Sequence, residues 1–380
     1  MSNIPFSVST QTNNEVALLK EYYEEFKTRR PFRKLAADYF KETFSLPHFS
    51  LTKSCTQSLE LAMTIVDQGP RKEVIMPSYG FVSLANAVAL RGFRCVFVDC
   101  QKGTMNICPD SLENAISKDT CAVITINYGG ISCDYEHITH LCKLHNILLI
   151  EDNAHGIHAK YKDRNLGSIG DISTVSFDFL KNITCGEGGG ISINNPAYLE
   201  RFRMAFEFGT NKLDFLEGKT DHYEWSCLGS NNALAEQLSA ILYAQLLESE
   251  QIIAEFLRKW LIYDKLLQDL CLEKKIETPL IPPDTTPNGH IYWIKAEDKE
   301  ERKELMTFLA SQGVNTAFHY PPLHSTSYGK KTGVFRGNDI HTTLESNRLL
   351  RLPMYYSLKD EELIFVVSKI SEFYKIPFKY

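Results

Sequence analysis

The chain has 380 residues, 43% of them hydrophobic and 23% charged, which is ordinary for a soluble globular enzyme and long enough for a large α/β domain plus a smaller one. Its 41 lysines and arginines against 47 aspartates and glutamates leave a net charge of −6, which gives no reason to expect a nucleic-acid or anionic-membrane partner. No apolar run approaches the roughly 20 residues that span a bilayer, and the first sixteen residues carry neither a basic nor an apolar signal region, so the expected location is the cytoplasm.

The ten cysteines are scattered without a CxxC pair, and the eleven histidines are dispersed. His155 and His158 are close, but no cysteine or carboxylate spacing completes a metal site.

Residues 14–46 read as helical. Val16, Leu19, Tyr22, Tyr23 and Phe26 recur at helical spacing, and Leu35, Tyr39, Phe40 and Phe44 do so again. Between them Lys27-Thr28-Arg29-Arg30-Pro31 marks a break, with its arginines read as a solvated turn. The run Ser54-Cys55-Thr56-Gln57-Ser58 then opens an apolar-periodic helix through Leu59, Leu61, Ala62 and Ile65. Small hydroxyl residues at a helix start serve as caps. The same geometry also points free N–H groups at a phosphate.

Alternation follows: strands over 73–76, 95–99, 121–127 and 147–152, and helices over 82–91, 109–117 and 135–146. Short apolar strands alternating with helices imply parallel βαβ crossovers. In such sheets ligands gather at the carboxyl ends of the strands. Phe81, Tyr128 and Asp152 stand at those ends and should lie together.

The stretch from Ile147 to Asn194 organises the rest. Its first apolar run ends on Glu151-Asp152. A second β-rich run over 173–179 is followed by Lys181 and then by Gly186-Glu187-Gly188-Gly189-Gly190. A carboxylate at the end of a buried strand needs a partner. A carboxylate there and a lysine after the next strand are two of the three things a pyridoxal phosphate enzyme requires: one keeps the ring nitrogen protonated, the other holds the cofactor as a Schiff base. The third is a phosphate cup, which Ser176 and an earlier segment could supply.

Residues 199–260 are helix-rich. A second domain begins near Gln251, giving domains 1–250 and 251–380. Its expected elements are strands over 290–295 and 314–319 and helices over 299–311, 342–350 and 361–374.

Several spaced motifs agree in order with one family. Glu151-Asp152-Asn153-Ala154-His155-Gly156, then Gly167-Ser168-Ile169-Gly170-Asp171, then Ser176-Phe177, Lys181-Asn182, Thr184 and Gly186-Glu187-Gly188-Gly189 resemble the signature of the DegT/DnrJ/StrS nucleotide-sugar aminotransferases. The resemblance covers nearly the whole chain. It implies the PLP-dependent transferase fold of type I, aspartate aminotransferase-like, with a mostly parallel central sheet flanked by helices and a smaller α+β C-terminal domain. The implied cofactor is pyridoxal 5'-phosphate (PLP), held by Lys181, Asp152, His155 and Phe81, by the phosphate turn Cys55, Thr56 and Gln57, and by Ser176. Cys55 stands where the family usually has glycine. The loop from His222 to Asn232 resembles one whose asparagine, here Asn231, reaches the cofactor phosphate of the partner subunit, so a homodimer with shared active sites is implied. The family arginine that follows is Ala233 here. Tyr128, Glu187, His319, Tyr320 and His324 are implied as substrate contacts.

Lysine rather than histidine at position 181 implies transamination. The resemblance is nearest to the branch that aminates C4 of a thymidine-diphosphate 4-keto-6-deoxyhexose with L-glutamate as donor. That branch carries a Gly-rich loop where this chain reads Phe26-Lys27-Thr28-Arg29-Arg30-Pro31-Phe32. Amination at C3, or a cofactor-binding regulator without turnover, remain as alternatives.

Overall fold

Strands and helices alternate through residues 49–152, as the apolar pattern requires. The computed structural model describes residues 3–24, 31–66 and 69–378. The expected turn at Arg29 and Arg30, with most of the 26–32 stretch, lies outside the described residues.

The strands are β1 (Phe49–Thr52), β2 (Glu73–Pro77), β3 (Arg94–Val98), β4 (Thr120–Ile126), β5 (Leu148–Asp152), β6 (Lys160–Tyr161), β7 (Arg164–Asn165), β8 (Ile172–Ser176), β9 (Gly189–Ile193), β10 (Thr285–Thr286), β11 (Trp293–Lys295), β12 (Ala317–Phe318), β13 (Gly333–Phe335) and β14 (Leu349–Arg351). Eight of them form one sheet in the order β1-β9-β8-β5-β4-β2-β3-β13. Its strands run parallel except β9, which is antiparallel to both neighbours. Strands β2, β4, β5, β8 and β9 are buried at every residue, which a parallel sheet covered on both faces demands. Alternation along β2 sends Val74 and Met76 into one core with Leu59 and Leu84, and Ile75 into another with Leu112 and Ile138.

The helices α1 (Glu15–Glu24) and α2 (Phe32–Phe44) pack on the helix Glu236–Leu247. The two that follow, α3 (Cys55–Ile65) and α4 (Ser83–Leu90), bear on the site. No helix among the described residues is long and apolar enough to cross a membrane.

Beyond them, β11, β14 and β12 make a three-stranded antiparallel sheet. The helices Ser249–Leu266, Lys299–Ser311 and Asp360–Tyr374 cover it, with Trp260, Tyr263, Leu305, Leu309, Val366 and Ile370 in their core. The division expected at residue 250 falls in the first turn of Ser249–Leu266. Two segments cross it: β13 adds to the large sheet beside β3, and Ile4 bridges Val314. The helix expected over 342–350 ends at Arg348, and Leu349 and Leu350 enter β14. Both leucines are fully buried in cross-strand pairs with Lys295 and Ile294. An apolar run this short fits either period, and tertiary pairing decides it.

Candidate active site

Alternation on β5 separates its two terminal carboxylates. Glu151 is fully buried and accepts the N–H groups of Gly167 at 2.8 Å and of Ile169 and Gly170 at 2.5 Å each. Burial raises its pKa, and those N–H groups pull it back. A Cβ on Gly170 would lie 2.8 Å from the Leu149 carbonyl oxygen, so this turn closes only on glycine. The Gly167–Asp171 motif is therefore a clasp for Glu151. Asp152 is left to face the cavity. Its Oδ1 accepts the Ala154 N–H at 3.0 Å and lies 4.0 Å from Cys55 Sγ, while Oδ2 has no partner among the described residues. Burial pushes its pKa up to about 6, with the Ala154 N–H and the charge of Lys181 acting the other way.

Lys181 follows β8 by five residues, in a turn closed by its own N–H to Asp178 O at 2.9 Å. The turn is anchored behind it: Gln245 Oε1 accepts the Thr184 N–H at 2.8 Å, and Thr184 Oγ1 donates to Phe177 O at 3.0 Å. Burial lowers the Lys181 pKa, while Cys55, Asp152 and Asp178 raise it.

Helix α3 points its start at the same space. Ser54 caps it, accepting the Gln57 N–H at 3.1 Å. The N–H groups of Cys55 and Thr56 are left without an acceptor among the described residues, so the cap and the anion-binding end of the helix coexist. Gly189 of β9 lies hard against this turn: a Cβ there would be 2.3 Å from Ser54 C and 2.4 Å from Cys55 N.

Burial, then the charge of Lys181, hold the pKa of two histidines at the site, His155 and His290, well down. His155 Nδ1 accepts the Gly129 N–H at 3.2 Å, which leaves its proton on Nε2. His290 packs on it with ring centroids 4.4 Å apart and is fixed through Nδ1 by the Asn182 side-chain oxygen.

These groups share a cavity of about 330 Å³. A larger groove of about 920 Å³ opens at the other end of the strands, among Arg71, Cys142 and Tyr198, but holds neither Lys181 nor Asp152. In a parallel sheet ligands collect at the carboxyl ends, so the smaller cavity is the candidate site. Cys55, Thr56, Phe81, Ser176, Glu187, His319 and Tyr320 line it as well. Phe81 is 55% exposed and within 6.0 Å of the Tyr320 ring, a flat apolar face open to the cavity.

Four expected contacts are not brought to the cavity wall. The Gln57 N–H is spent on the cap, and its Nε2 lies 3.5 Å from the Asn231 carbonyl. Asn231 is exposed on a loop outside the cavity of its own chain. Tyr128 is 1% exposed and stands behind His319, its hydroxyl 3.0 Å from Nδ1. His324 bonds Ser78 Oγ at 2.6 Å and faces Asp339 at 3.3 Å, tying the turn after Pro322 to the end of β2. Three titratable lining residues were not singled out from the sequence: Asp178, His290 and Arg351. Arg351 lies in a stretch that resembles the family, Arg351-Leu352-Pro353-Met354-Tyr355, but nothing local gives its direction.

The sheet, the lysine and the strand-end carboxylate define a PLP-dependent transferase of fold type I. Residues 10–371 match the DegT/DnrJ/EryC1/StrS aminotransferase family, and the chain belongs to it. It is an aminotransferase that uses PLP. The spore coat polysaccharide biosynthesis protein SpsC of Bacillus subtilis is 26% identical over 381 residues, covering 98% of this chain and 97% of that protein. The dTDP-4-dehydro-2,3,6-trideoxy-D-glucose 4-aminotransferase of Saccharopolyspora spinosa is 29% identical over 331 residues, covering 84% and 82%. The solved structure of aminotransferase TlmJ from Streptoalloteichus hindustanus superposes with a TM-score of 0.88 at 25% identity, over 98% of this chain and 99% of that one.

Proposed function

We propose that the protein transfers the amino group of L-glutamate to C4 of a nucleotide-linked 4-keto-6-deoxyhexose, dTDP-4-keto-6-deoxy-D-glucose for preference. The products are 2-oxoglutarate and a 4-amino-4,6-dideoxy sugar of galacto configuration, for surface polysaccharide or glycan synthesis. One observation carries the reading: the Lys181 amine, the unpaired oxygen of Asp152 and the two free N–H groups at the start of α3 meet in one cavity. The 4-aminotransferase and the polysaccharide-biosynthesis protein among the relatives support the sugar class.

These residues fit the cofactor. An unpaired buried carboxylate oxygen suits a protonated ring nitrogen, and the Cys55 and Thr56 N–H groups with Ser176 suit a phosphate. When bound, PLP supplies an electron sink for charge developing beside the reacting nitrogen. The chain does the rest. Lys181 would hold the cofactor, and its amine would serve as the base that takes and returns the proton of the donor's Cα. Its lowered pKa suits it to take that proton. Phe81 would offer a flat apolar face to the ring, and the His155 Nε2–H would be a donor to an oxygen on it. Glu187, His319 and Tyr320 face the sugar, with Tyr128 and His324 acting through their neighbours. The partner subunit of a homodimer completes the phosphate cup with its own copy of the Asn231 loop. The reaction belongs in the cytoplasm.

The test is turnover by the PLP-loaded protein with L-glutamate and the dTDP-ketosugar, with NMR placing the new amine. An amine at C3 would move the protein to the C3-aminating enzymes. Cofactor absorbance without turnover of any nucleotide ketosugar would make it a regulator. Lys181→Ala is expected to lose both the Schiff-base absorbance and turnover, and retained turnover would refute the assignment. Sedimentation should show a dimer.

A further inference from the structure

We propose that Arg351 is the seat for the carboxylate of the amino donor. The inference rests on the reading of the site as one that takes its nitrogen from an amino acid.

Arg351 ends β14, the middle strand of the three-stranded sheet, in register with both Trp293 and Ala317. Its guanidinium lines the cavity that contains Lys181. What it touches is neutral. Nη1 donates to His319 Nε2 at 3.0 Å, and the Phe6 ring lies 4.8 Å from the guanidinium carbon. His319 offers it only a neutral acceptor: burial, then the charges of Arg351 and Lys181, push that imidazole down to about 2. Arg351 Nε is buried without a hydrogen bond. Among the described residues no carboxylate comes within ion-pair distance of it. Two other partly buried arginines contrast with this. Arg348 is held by Glu345 at 3.2 Å and Glu277 at 2.9 Å, and Arg336 by Glu73 at 2.7 Å. A largely buried cation without an anion is unfavourable, and here the space beside it is open. An incoming anion with two planar oxygens matches the guanidinium fork.

The fork is held in place by its hydrogen-bond neighbours. Because Nη1 donates to His319 Nε2, the His319 proton is on Nδ1, where it donates to the Tyr128 hydroxyl at 3.0 Å. The Tyr79 hydroxyl is shared between two acceptors, the Tyr128 hydroxyl at 3.1 Å and the His319 carbonyl at 2.5 Å. His319, Tyr128 and Tyr79 are positioning residues for the arginine.

Two substrate groups could offer the anion: the donor's carboxylate and the diphosphate of the nucleotide sugar. The α-carboxylate is joined to the carbon whose nitrogen reacts, so its seat must adjoin Lys181. The charge of Arg351 is felt by Lys181, His155 and His290 alike. A diphosphate is separated from C4 by the width of the sugar ring. The position of Arg351 favours the carboxylate.

The experiment compares the wild-type holoenzyme with Arg351→Met and Arg351→Lys in three measurements. Glutarate, a dicarboxylate with no amine to transfer, is titrated by calorimetry. L-glutamate is followed by cofactor absorbance in single turnover. The aminated enzyme is mixed with the dTDP-ketosugar. Arg351→Met should weaken glutarate binding and raise the glutamate concentration for half-maximal conversion by about 10- to 100-fold, the range for charge-assisted hydrogen bonds. Arg351→Lys should recover part of the loss, and the ketosugar half-reaction should stay close to wild type. A variant that binds glutarate normally overturns the inference, even if the C4 product is confirmed. A variant that loses only ketosugar affinity assigns Arg351 to the diphosphate and overturns it too. Loss of glutarate affinity upholds it whichever ketosugar the enzyme takes. Cofactor absorbance and melting temperature check that each variant is folded.

Discussion

Burial raises the Asp152 carboxyl from the usual 3.8 to about 6, so a fraction of it is protonated a little below neutrality in the protein without cofactor. A protonated carboxyl cannot hold a positive ring nitrogen. Cofactor affinity should therefore fall as pH drops through about 6, and the neutral Asp152→Asn variant should bind weakly with little dependence on pH. For folding the sign is opposite. Between 3.8 and about 6 the folded chain binds more protons than the unfolded one, so this group's contribution to stability declines as pH rises through that window. At pH 7 the cofactor-free Asn variant should be more stable than wild type by on the order of 2 kcal/mol. Cofactor titrations between pH 5 and 8, with melts of both apo-proteins, check the two halves. If Asp152→Asn binds cofactor like wild type, another group holds the ring. Position along the chain told which residues approach the cavity, since Lys181, Asp152, Phe81 and Ser176 follow strands whose direction is fixed by their crossovers. It did not tell layer from layer. Tyr128 and His324 are in the right neighbourhood but one shell back, because which way a side chain leaves a strand end depends on packing from the other unit. Arg351 enters from β14 and His290 from the segment leading into β11, both more than a hundred residues downstream and in or beside apolar runs that read only as core.

Among the elements, the pairing of β1 with β9 matters most to the site, because it brings Thr52 opposite Gly189 and presses β9 onto the first turn of α3. The alternation of apolar strands and helices predicted β2 to β5 and the helices between them within a residue or two at each end, but not β1, and it ran β8 three residues too far. It could not predict β9 as an antiparallel insertion, since a Gly-rich run has no period to read. Gly189 is nevertheless the residue that decides how closely the phosphate-binding turn approaches the sheet. Its clash in Gly189→Ala is with the backbone of Ser54 and Cys55, not with a movable side-chain tip. We expect that variant to lose about 1–3 kcal/mol of stability, the usual range for overpacking. Cofactor affinity should fall as well, because the two free N–H groups must move. Melting temperature and a cofactor titration measure this. A variant with normal cofactor affinity would mean that the α3 start is not the phosphate cup.

At the scale of the whole molecule, the two units are laced together. The strand β13 was invisible in the sequence, being three residues that begin on a glycine, yet it extends the large sheet from the C-terminal unit. Arg336 follows it. Its Nη2 and Nη1 donate to the two oxygens of Glu73 at 2.7 and 3.0 Å, and Nη1 also donates to Ala115 O at 2.7 Å. Glu73 is 6% exposed at the start of β2, and the Arg336 hydrogen bond is the main cause holding its pKa below the usual 4.5. A depressed carboxylate stabilises the fold above 4.5, and the contribution is lost as pH falls through its lower folded value. Arg336→Ala leaves a buried carboxylate short of its donors and should cost about 1–3 kcal/mol at pH 7. The deficit should shrink as pH falls below 4.5, because the wild type loses the same contribution there. The lacing also has a functional reading. The segment that carries β13 packs beside the turn containing His324, four residues past Tyr320, which lines the cavity. Loosening it should raise the KM for the ketosugar while leaving the cofactor spectrum unchanged. Melts across pH 4 to 7, hydrogen exchange at Val334 and Phe335, and steady-state kinetics on Arg336→Ala test this together. Unaltered exchange at those two amides would show that the strand is held by backbone pairing alone, and the coupling to the sugar side would then fail with it.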